Sequence, residues 1–388
     1  MASTTRSERA IRFVPTRLTP QELSLQAEVR EFLAAELGDG THRPGLGMSG
    51  RADRDFSRKL GARGWLGMAL PKQYGGGERS AVDRFVVTEE LLRVGAPVGL
   101  HWVADRQSGA VIARFGTEEQ KRKYLPGICA GELGFSIGMS EPDVGSDLAA
   151  VRTRAVRDGD GWVINGTKVW TTGAHRNDVM ITLCRTSDED DRHKGLSQFL
   201  VDLRAPGVEI RPIPLLDGSA DFNEVVLTDV RVSDADLLGT LGQGWSQNTA
   251  ELAFERGGPD RFLTTYPVFE AFLRETDPAS LDARARVAIG RIAADYWVLR
   301  NITLSVARAV DRDESPVQEA ALVKEFATRF EQDVITTLLD IVDLDPVTDS
   351  ASIFEQILSE AILTGPVFTI RGGTIEILRS VAAKGLGR

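Results

Sequence analysis

Gly138-Met139-Ser140-Glu141-Pro142-Asp143-Val144-Gly145-Ser146-Asp147 and, some twenty residues on, Asn165-Gly166-Thr167-Lys168-Val169-Trp170-Thr171-Thr172-Gly173-Ala174 decide how this chain folds. Between them, Val151-Arg152-Thr153-Arg154-Ala155-Val156 and Trp162-Val163-Ile164-Asn165 flank Asp158-Gly159-Asp160-Gly161. Two alternating segments on either side of Asp-Gly predict a β-hairpin. Val179 to Cys184, Gln198 to Val201, Val208 to Ile213 and Glu224 to Leu227 add further strands, with no helical pattern between them. Residues 133–238 therefore read as an antiparallel, barrel-like, mostly closed β-domain.

On both sides the period changes. Leu23, Leu25, Val29, Phe32, Leu33 and Leu37 recur at three- and four-residue spacing, so 20–132 reads as helical. Thr19-Pro20-Gln21-Glu22 is a start signal with a cap, a first-turn proline and an early acid. Gly116-Thr117-Glu118-Glu119-Gln120 opens another helix in the same way, and Pro71 to Gly77 reads as a loop. After the β-block, helical periodicity resumes over 245–273, 280–312, 316–343 and 351–363, lengths that suit a four-helix bundle within 239–388. Residues 1–19 read as a flexible N-terminal extension. This α, β, α order is not the strand-helix alternation of a dinucleotide-binding doubly wound sheet. Gly45-Leu46-Gly47-Met48-Ser49-Gly50 satisfies the spelling GxGxxG, but no strand precedes it, so the phosphate-binding context fails.

A chain of 388 residues has length for roughly two to three domains. Forty-six basic against 56 acidic residues give a net charge of −10, which speaks against broad nucleic-acid binding and leaves any anionic ligand to find local cations. Cys129 and Cys184 lie far apart in apolar contexts with no metal-ligand spacing, so both read as reduced core residues and no metal is expected. The first 19 residues carry no continuous apolar run and no stretch approaches membrane-spanning length, which predicts a cytoplasmic chain without membrane insertion.

The two motifs, in order and with the hairpin between them, resemble the flavin-cradling middle domain of the acyl-CoA dehydrogenase family. Taken singly, Trp170 reads better as core and the Ser and Thr residues as ordinary strand and turn formers. The resemblance extends over residues 20 to 388 and implies that family's α+β fold, with FAD as cofactor. By resemblance, the strand holding Ile137, Met139 and Ser140 runs beside the flavin ring, with the Ser140 hydroxyl on its edge. Gly145 and Ser146 turn backbone N–H groups and a hydroxyl toward phosphate, Ser146 also meeting substrate. Trp170 lies against the ring and Thr172 near its reactive nitrogen. Asp143 stands where many relatives have Gly. The terminal Arg371-Gly372-Gly373-Thr374-Ile375-Glu376 resembles the family's last loop and helix start, which places Thr374 and Glu376 by the cofactor and Gly373 by the substrate; a plain helix cap explains Thr374 as well.

Desaturating a thioester takes a base for the α-proton on the face opposite the acceptor of the β-hydride, flavin N5. Many relatives carry that carboxylate immediately before the terminal Gly-Thr, where this chain has Gly372. Glycine abstracts no proton, so the chain is inactive, does other chemistry or carries its base elsewhere. A minority of the family places a Glu-Arg pair on the first long helix after the β-domain, which maps onto Glu255 and Arg256. Leu252-Ala253-Phe254 make an apolar approach to Glu255, and desolvation there would raise its pKa toward neutrality. The bland alternative is an exposed Glu paired with a neighbouring cation. Gly372 retains a role by resemblance, its backbone N–H polarising the thioester carbonyl as an oxyanion-hole donor. Arg256 maps to a CoA contact, although Ala253 replaces the Asp that often accompanies it.

Two motifs that relatives donate across a subunit interface are missing: no Arg-x-x-Phe-Gly occurs around 278–300, and Leu338-Leu339-Asp340-Ile341-Val342-Asp343-Leu344-Asp345 replaces Gln-x-x-Gly-Gly with carboxylates that repel a pyrophosphate. This resembles the bacterial steroid side-chain dehydrogenases in which two unlike chains share a flavin. The expected activity is formation of a trans-2-enoyl thioester from a bulky or branched acyl-CoA or acyl-carrier thioester, with electrons passed to an electron-transfer flavoprotein. Either a homo-oligomer or a hetero-oligomer with a paralogous chain would complete the site. The alternatives are a flavin monooxygenase or oxidase on the same fold, and a non-catalytic partner subunit.

Overall fold

A computed structural model describes residues 11–47, 51–248, 258–342, 350–371 and 373–385. They fall into two compact units, one of residues 11–47, 81–95, 258–342, 350–371 and 373–385, the other of 51–80 and 96–248.

The second unit is built on an eight-stranded sheet. Its strands are β1 (Phe135–Gly138), β2 (Arg154–Asp158), β3 (Gly161–Thr172), β4 (Val179–Arg185), β5 (Leu196–Asp202), β6 (Val208–Ile213), β7 (Phe222–Ser233) and β8 (Leu237–Leu238). They run in the order β6-β7-β3-β2-β4-β5-β8, with β1 paired to β4 off this path. The Asp-Gly hairpin forms as expected between β2 and β3, with Gly159 at φ 61 where a side chain would be strained. The antiparallel expectation needs one correction: β1 and β2 each meet β4 in parallel. β1 enters from a helix on the sheet face and leaves through the 139–153 segment, and such a crossover allows parallel pairing where a tight hairpin does not. Among the described residues the path is also open, since β6 and β8 end it without pairing to each other.

Side-chain alternation gives this sheet two apolar faces. Trp162, Ile164, Cys184, Phe199 and Val225 fill one, while Phe135, Ile181 and Leu200 on the other pack with Ile112, Tyr124, Leu125 and Ile128 from helices. Each such side chain contributes about 1.5–3 kcal/mol by leaving water. β4 and β5 are buried almost end to end, and that burial includes the polar side chains of Thr182, Ser197 and Gln198. Thr117 and Gln120 close a reciprocal cap on the Glu118–Cys129 helix. Cys129 and Cys184 are free and buried, as the sequence predicted.

The other unit is helical. Pro20–Leu37 starts with a reciprocal Thr19–Glu22 cap, and Ala81–Arg93, Tyr266–Glu275, Ala283–Val310, Val317–Ile341, Ile353–Thr364 and Ile375–Gly385 follow. Ala320, Ala321, Val323, Ala327, Phe330, Val334 and Leu338 form the buried stripe of the Val317–Ile341 helix. Tyr296 packs among the rings of Tyr266, Phe269 and Phe330. The expected helix over 245–273 is not continuous: a 3-10 turn occupies Pro259–Arg261 and a new helix begins at Tyr266. Pro259 and Pro267 lack the N–H groups a continuing helix requires, and Gly258 stands extended before the first of them. Among the described residues, no helix is long and apolar enough to cross a membrane.

Candidate active site

In the sheet unit the motifs at 138–147 and 165–174 lie side by side. The Val169 N–H donates to the Ser140 carbonyl at 2.9 Å, so the end of the first motif is stitched to the middle of the second. Glu141 and Val144 exchange backbone hydrogen bonds of 2.8 and 3.0 Å, closing a tight turn that leaves Pro142, Asp143, Gly145 and Ser146 exposed. A Cβ placed on Gly145 would meet no protein atom within 4 Å, whereas one on Gly138 would strike the Met180 sulfur at 2.7 Å. Packing explains the glycine at 138, and open space lies above the one at 145.

A buried ion pair holds this turn. Lys168, 0% exposed, donates to Glu141 Oε1 at 2.8 Å and to the Met139 carbonyl at 3.1 Å. The same carboxylate accepts the backbone N–H groups of Arg152 at 2.8 Å and Thr153 at 2.9 Å. Burial alone would push Glu141 up, but the Lys168 charge and these donors hold its carboxyl below the usual range. Burial pulls the Lys168 ammonium down, with Glu141 opposing it. Burial drives the neighbouring Cys184 thiol up to about 12, so it stays a neutral apolar filler. Sequence reasoning quoted both Glu141 and Lys168 without assigning them a part.

A second network fixes the end of β3. Asn177 Nδ2 donates to the Phe135 carbonyl at 2.7 Å and to Ser136 Oγ at 2.9 Å, and Ser136 Oγ donates to the Thr172 carbonyl at 2.8 Å. Gly134 and Gly173 make room for that carboxamide: a Cβ on either would come within 2.5 or 2.9 Å of it. Trp170 sits just before this anchor at φ 60, a left-handed conformation rare for an aromatic residue, and 56% of it is exposed. Its ring meets Phe222 edge-on at 6.1 Å. A large indole held in a strained backbone and left open on one face is a surface for another flat group.

The terminal turn belongs to the helical unit. Gly373 has φ 97, which suits glycine, and the final helix begins at Ile375, where the sequence placed it. The Thr374 carbonyl accepts the Leu378 N–H at 3.1 Å, and Glu376 is exposed in the first turn. Lys324 Nζ donates to the carbonyls of Arg371 at 2.6 Å and Gly373 at 2.8 Å. Arg371 itself reaches Glu331 at 2.9 Å and Thr264 Oγ1 at 2.8 Å, and the Thr264 N–H donates to the other oxygen of Glu331 at 2.8 Å. Burial raises the Glu331 carboxyl to about 7, against the opposing charge of Arg371.

Of the residues the sequence singled out, Ile137, Met139, Ser140 and Thr172 are half-buried, and Gly145, Ser146 and Trp170 are exposed, all in the sheet unit. Gly373, Thr374 and Glu376 lie in the helical unit. Glu255, Arg256 and Gly372 lie outside the described residues. Within the sheet unit the donor set fits FAD: an open indole face, the hydroxyl-bearing residues Ser140, Ser146 and Thr172, and an exposed small-residue turn at 145–146. Neither charged member of the buried Lys168–Glu141 pair is free to serve as a ligand.

The chain matches three family models in succession: "Acyl-CoA dehydrogenase, N-terminal domain" over residues 19–132, "middle domain" over 136–230 and "C-terminal domain" over 242–387. It is 34% identical over 381 residues to acyl-CoA dehydrogenase FadE29 of Mycobacterium tuberculosis, covering 95% of this chain and 97% of the relative. Among solved structures it is similar to the Tcur3481-Tcur3483 steroid ACAD, with 33% identity, a TM-score of 0.84 and coverage of 96% and 98%. It is also similar to a chain of the ChsE4-ChsE5 complex from Mycobacterium tuberculosis, with 30% identity, a TM-score of 0.83 and coverage of 97% and 99%.

Proposed function

The chain belongs to the acyl-CoA dehydrogenase family, an FAD-dependent fold, and on that premise we propose that it desaturates a bulky acyl thioester with Glu255 as base. The observation that carries the cofactor half of this reading is the exposed Trp170, held at φ 60 beside the Ser140–Val169 stitch. When bound, FAD supplies the acceptor for the hydride that leaves the substrate β-carbon. Ile137, Met139 and Ser140 would support one edge of the ring, Trp170 and Thr172 its face and centre, Gly145 and Ser146 the phosphates, and Thr374 and Glu376 the terminal-loop contact.

The remaining chemistry falls to this chain. Glu255 takes the substrate α-proton onto a carboxylate oxygen, and the bound acyl chain keeps water from competing for it. The Gly372 N–H takes up the negative charge that grows on the thioester carbonyl oxygen. Ser146 and Gly373 border the thioester arm, and Arg256 meets the CoA end. A bulky, steroid-like acyl group is supported by the similarity to a chain named as a steroid ACAD. Two similar chains come from assemblies named for two components, and the interface motifs missing from 278–300 and 338–345 agree with an unlike partner that completes the flavin site. Electrons would leave to an electron-transfer flavoprotein.

Co-expression tests this reading. With an unlike acyl-CoA-dehydrogenase-type chain, the assembly should hold FAD tightly, and anaerobic addition of bulky acyl-CoAs should bleach the flavin while straight short-chain ones do so far more slowly. A stable homo-oligomer with one FAD per chain would overturn the heteromeric part. Sustained oxygen uptake with no dependence on an electron-transfer flavoprotein would replace dehydrogenase by oxidase.

A further inference from the structure

In the helical unit, a single helix grips the last turn of the chain at three places. On Val317–Ile341, Lys324 holds the carbonyls of Arg371 and Gly373, Glu331 holds the Arg371 guanidinium, and Glu325 accepts Arg379 Nε at 3.1 Å and Nη2 at 3.0 Å. Lys324 and Glu331 are seven residues apart, about 10 Å along the same helix face. Lys324 is 1% exposed. Burying an ammonium is costly, and an apolar side chain of similar volume would serve helix packing as well or better. What an apolar residue cannot do is donate to two carbonyls two residues apart. Because the peptide unit is planar, fixing its carbonyl oxygen fixes the direction of the whole unit. The left-handed φ of 97 at Gly373 thus lies between the ammonium that holds its carbonyl and the start of the last helix at Ile375.

We infer that Lys324 is a positioning residue for the reaction, its buried ammonium fixing the carbonyls of Arg371 and Gly373 and thereby the geometry from which Gly373 and Thr374 meet substrate and cofactor. The inference rests on the proposed desaturation and adds to it a residue remote in sequence from both motifs. Displacing a substrate-orienting backbone by about 1 Å costs on the order of 100-fold in rate.

The test uses the FAD-loaded assembly with Lys324→Met and Lys324→Arg, and Glu255→Gln as control. For Lys324→Met we expect turnover per bound flavin to fall about 100-fold, with KM for acyl-CoA shifted less than threefold. The flavin absorbance shift on binding enoyl-CoA should shrink, and amide exchange over Gly373–Leu378 should speed up. Lys324→Arg, which keeps a buried donor, should recover at least a tenth of the turnover. If Lys324→Met retains wild-type turnover per flavin and an unchanged absorbance shift while only its melting temperature falls, Lys324 is a structural residue and the inference is wrong. Should the Met variant fail to fold, Lys324→Gln, with one remaining donor, is judged by the same criteria. Activity surviving in Glu255→Gln would instead remove the proposed base and leave the exchange result to decide the clamp.

Discussion

Two buried lysines, one in each unit, each hold a turn of the backbone, and they do so differently. Lys168 in the sheet unit spends its charge on a carboxylate, Glu141, which is itself bonded to two backbone N–H groups. Lys324 in the helical unit turns its ammonium on two main-chain carbonyls. In the first, removing either charge strands the other in a dry interior; in the second, the two neutral carbonyls lose a donor. The difference predicts that Lys168 matters most to folding and Lys324 most to turnover.

The sharpest break of that contrast is Lys168→Met. Leaving Glu141 buried without its partner should cost about 3–5 kcal/mol, read by denaturant unfolding of the FAD-free chain. A cost under about 1 kcal/mol would show that the pair does not organise the motif turn. Lys324→Met should cost about 1–3 kcal/mol, the penalty of unsatisfied neutral acceptors, measured in the same way. If the two losses came out equal, the contrast between a charged and a neutral partner would have no energetic content.

Glu331 sharpens the comparison through pH. Its carboxyl is raised by burial from an ordinary 4.5 to about 7, with Arg371 opposing. The folded state therefore binds this proton more tightly than the unfolded chain does. The stability so gained is fully present below about 4.5 and is lost as pH rises through about 7. Melting temperature should decline over that window, and Glu331→Gln should flatten the decline; an unchanged slope in the variant would mean that Glu331 does not titrate there.

The smallest expected effect on stability is at Trp170. With more than half its surface open and one edge contact to Phe222, Trp170→Ala should change unfolding free energy by no more than about 0.5 kcal/mol. FAD affinity should nevertheless fall, read by flavin fluorescence during titration. A large loss of stability with unchanged FAD affinity would return Trp170 to the role of a core residue.

Much of this was legible in the residues. Period-two alternation around Asp158-Gly159-Asp160-Gly161 located the hairpin, and the caps at Thr19 and Thr117 formed where their spelling placed them. Periodicity ran too far through 245–273 because it counts apolar spacing and passes over Pro259 and Pro267, which interrupt the backbone without disturbing the pattern. β7 extends well beyond Glu224 to Leu227 because its pairing with β3 continues past a positive-φ Asp229 that breaks the alternation. The partners of Lys168 and Lys324 were not readable: Glu141 is 27 residues away, and the carbonyls held by Lys324 are 47 and 49 residues away. A main-chain acceptor leaves no mark in the sequence, so a buried lysine looks like any helix-surface cation until the fold brings the turn to it.

The desaturation itself is tested most directly by mixing the FAD-loaded assembly anaerobically with a bulky acyl-CoA and following flavin absorbance in wild type and Glu255→Gln. The proposed base predicts rapid bleaching in the wild type and a rate lower by about 10²–10⁴ in the variant, with FAD still bound. Bleaching of Glu255→Gln at the wild-type rate would contradict it.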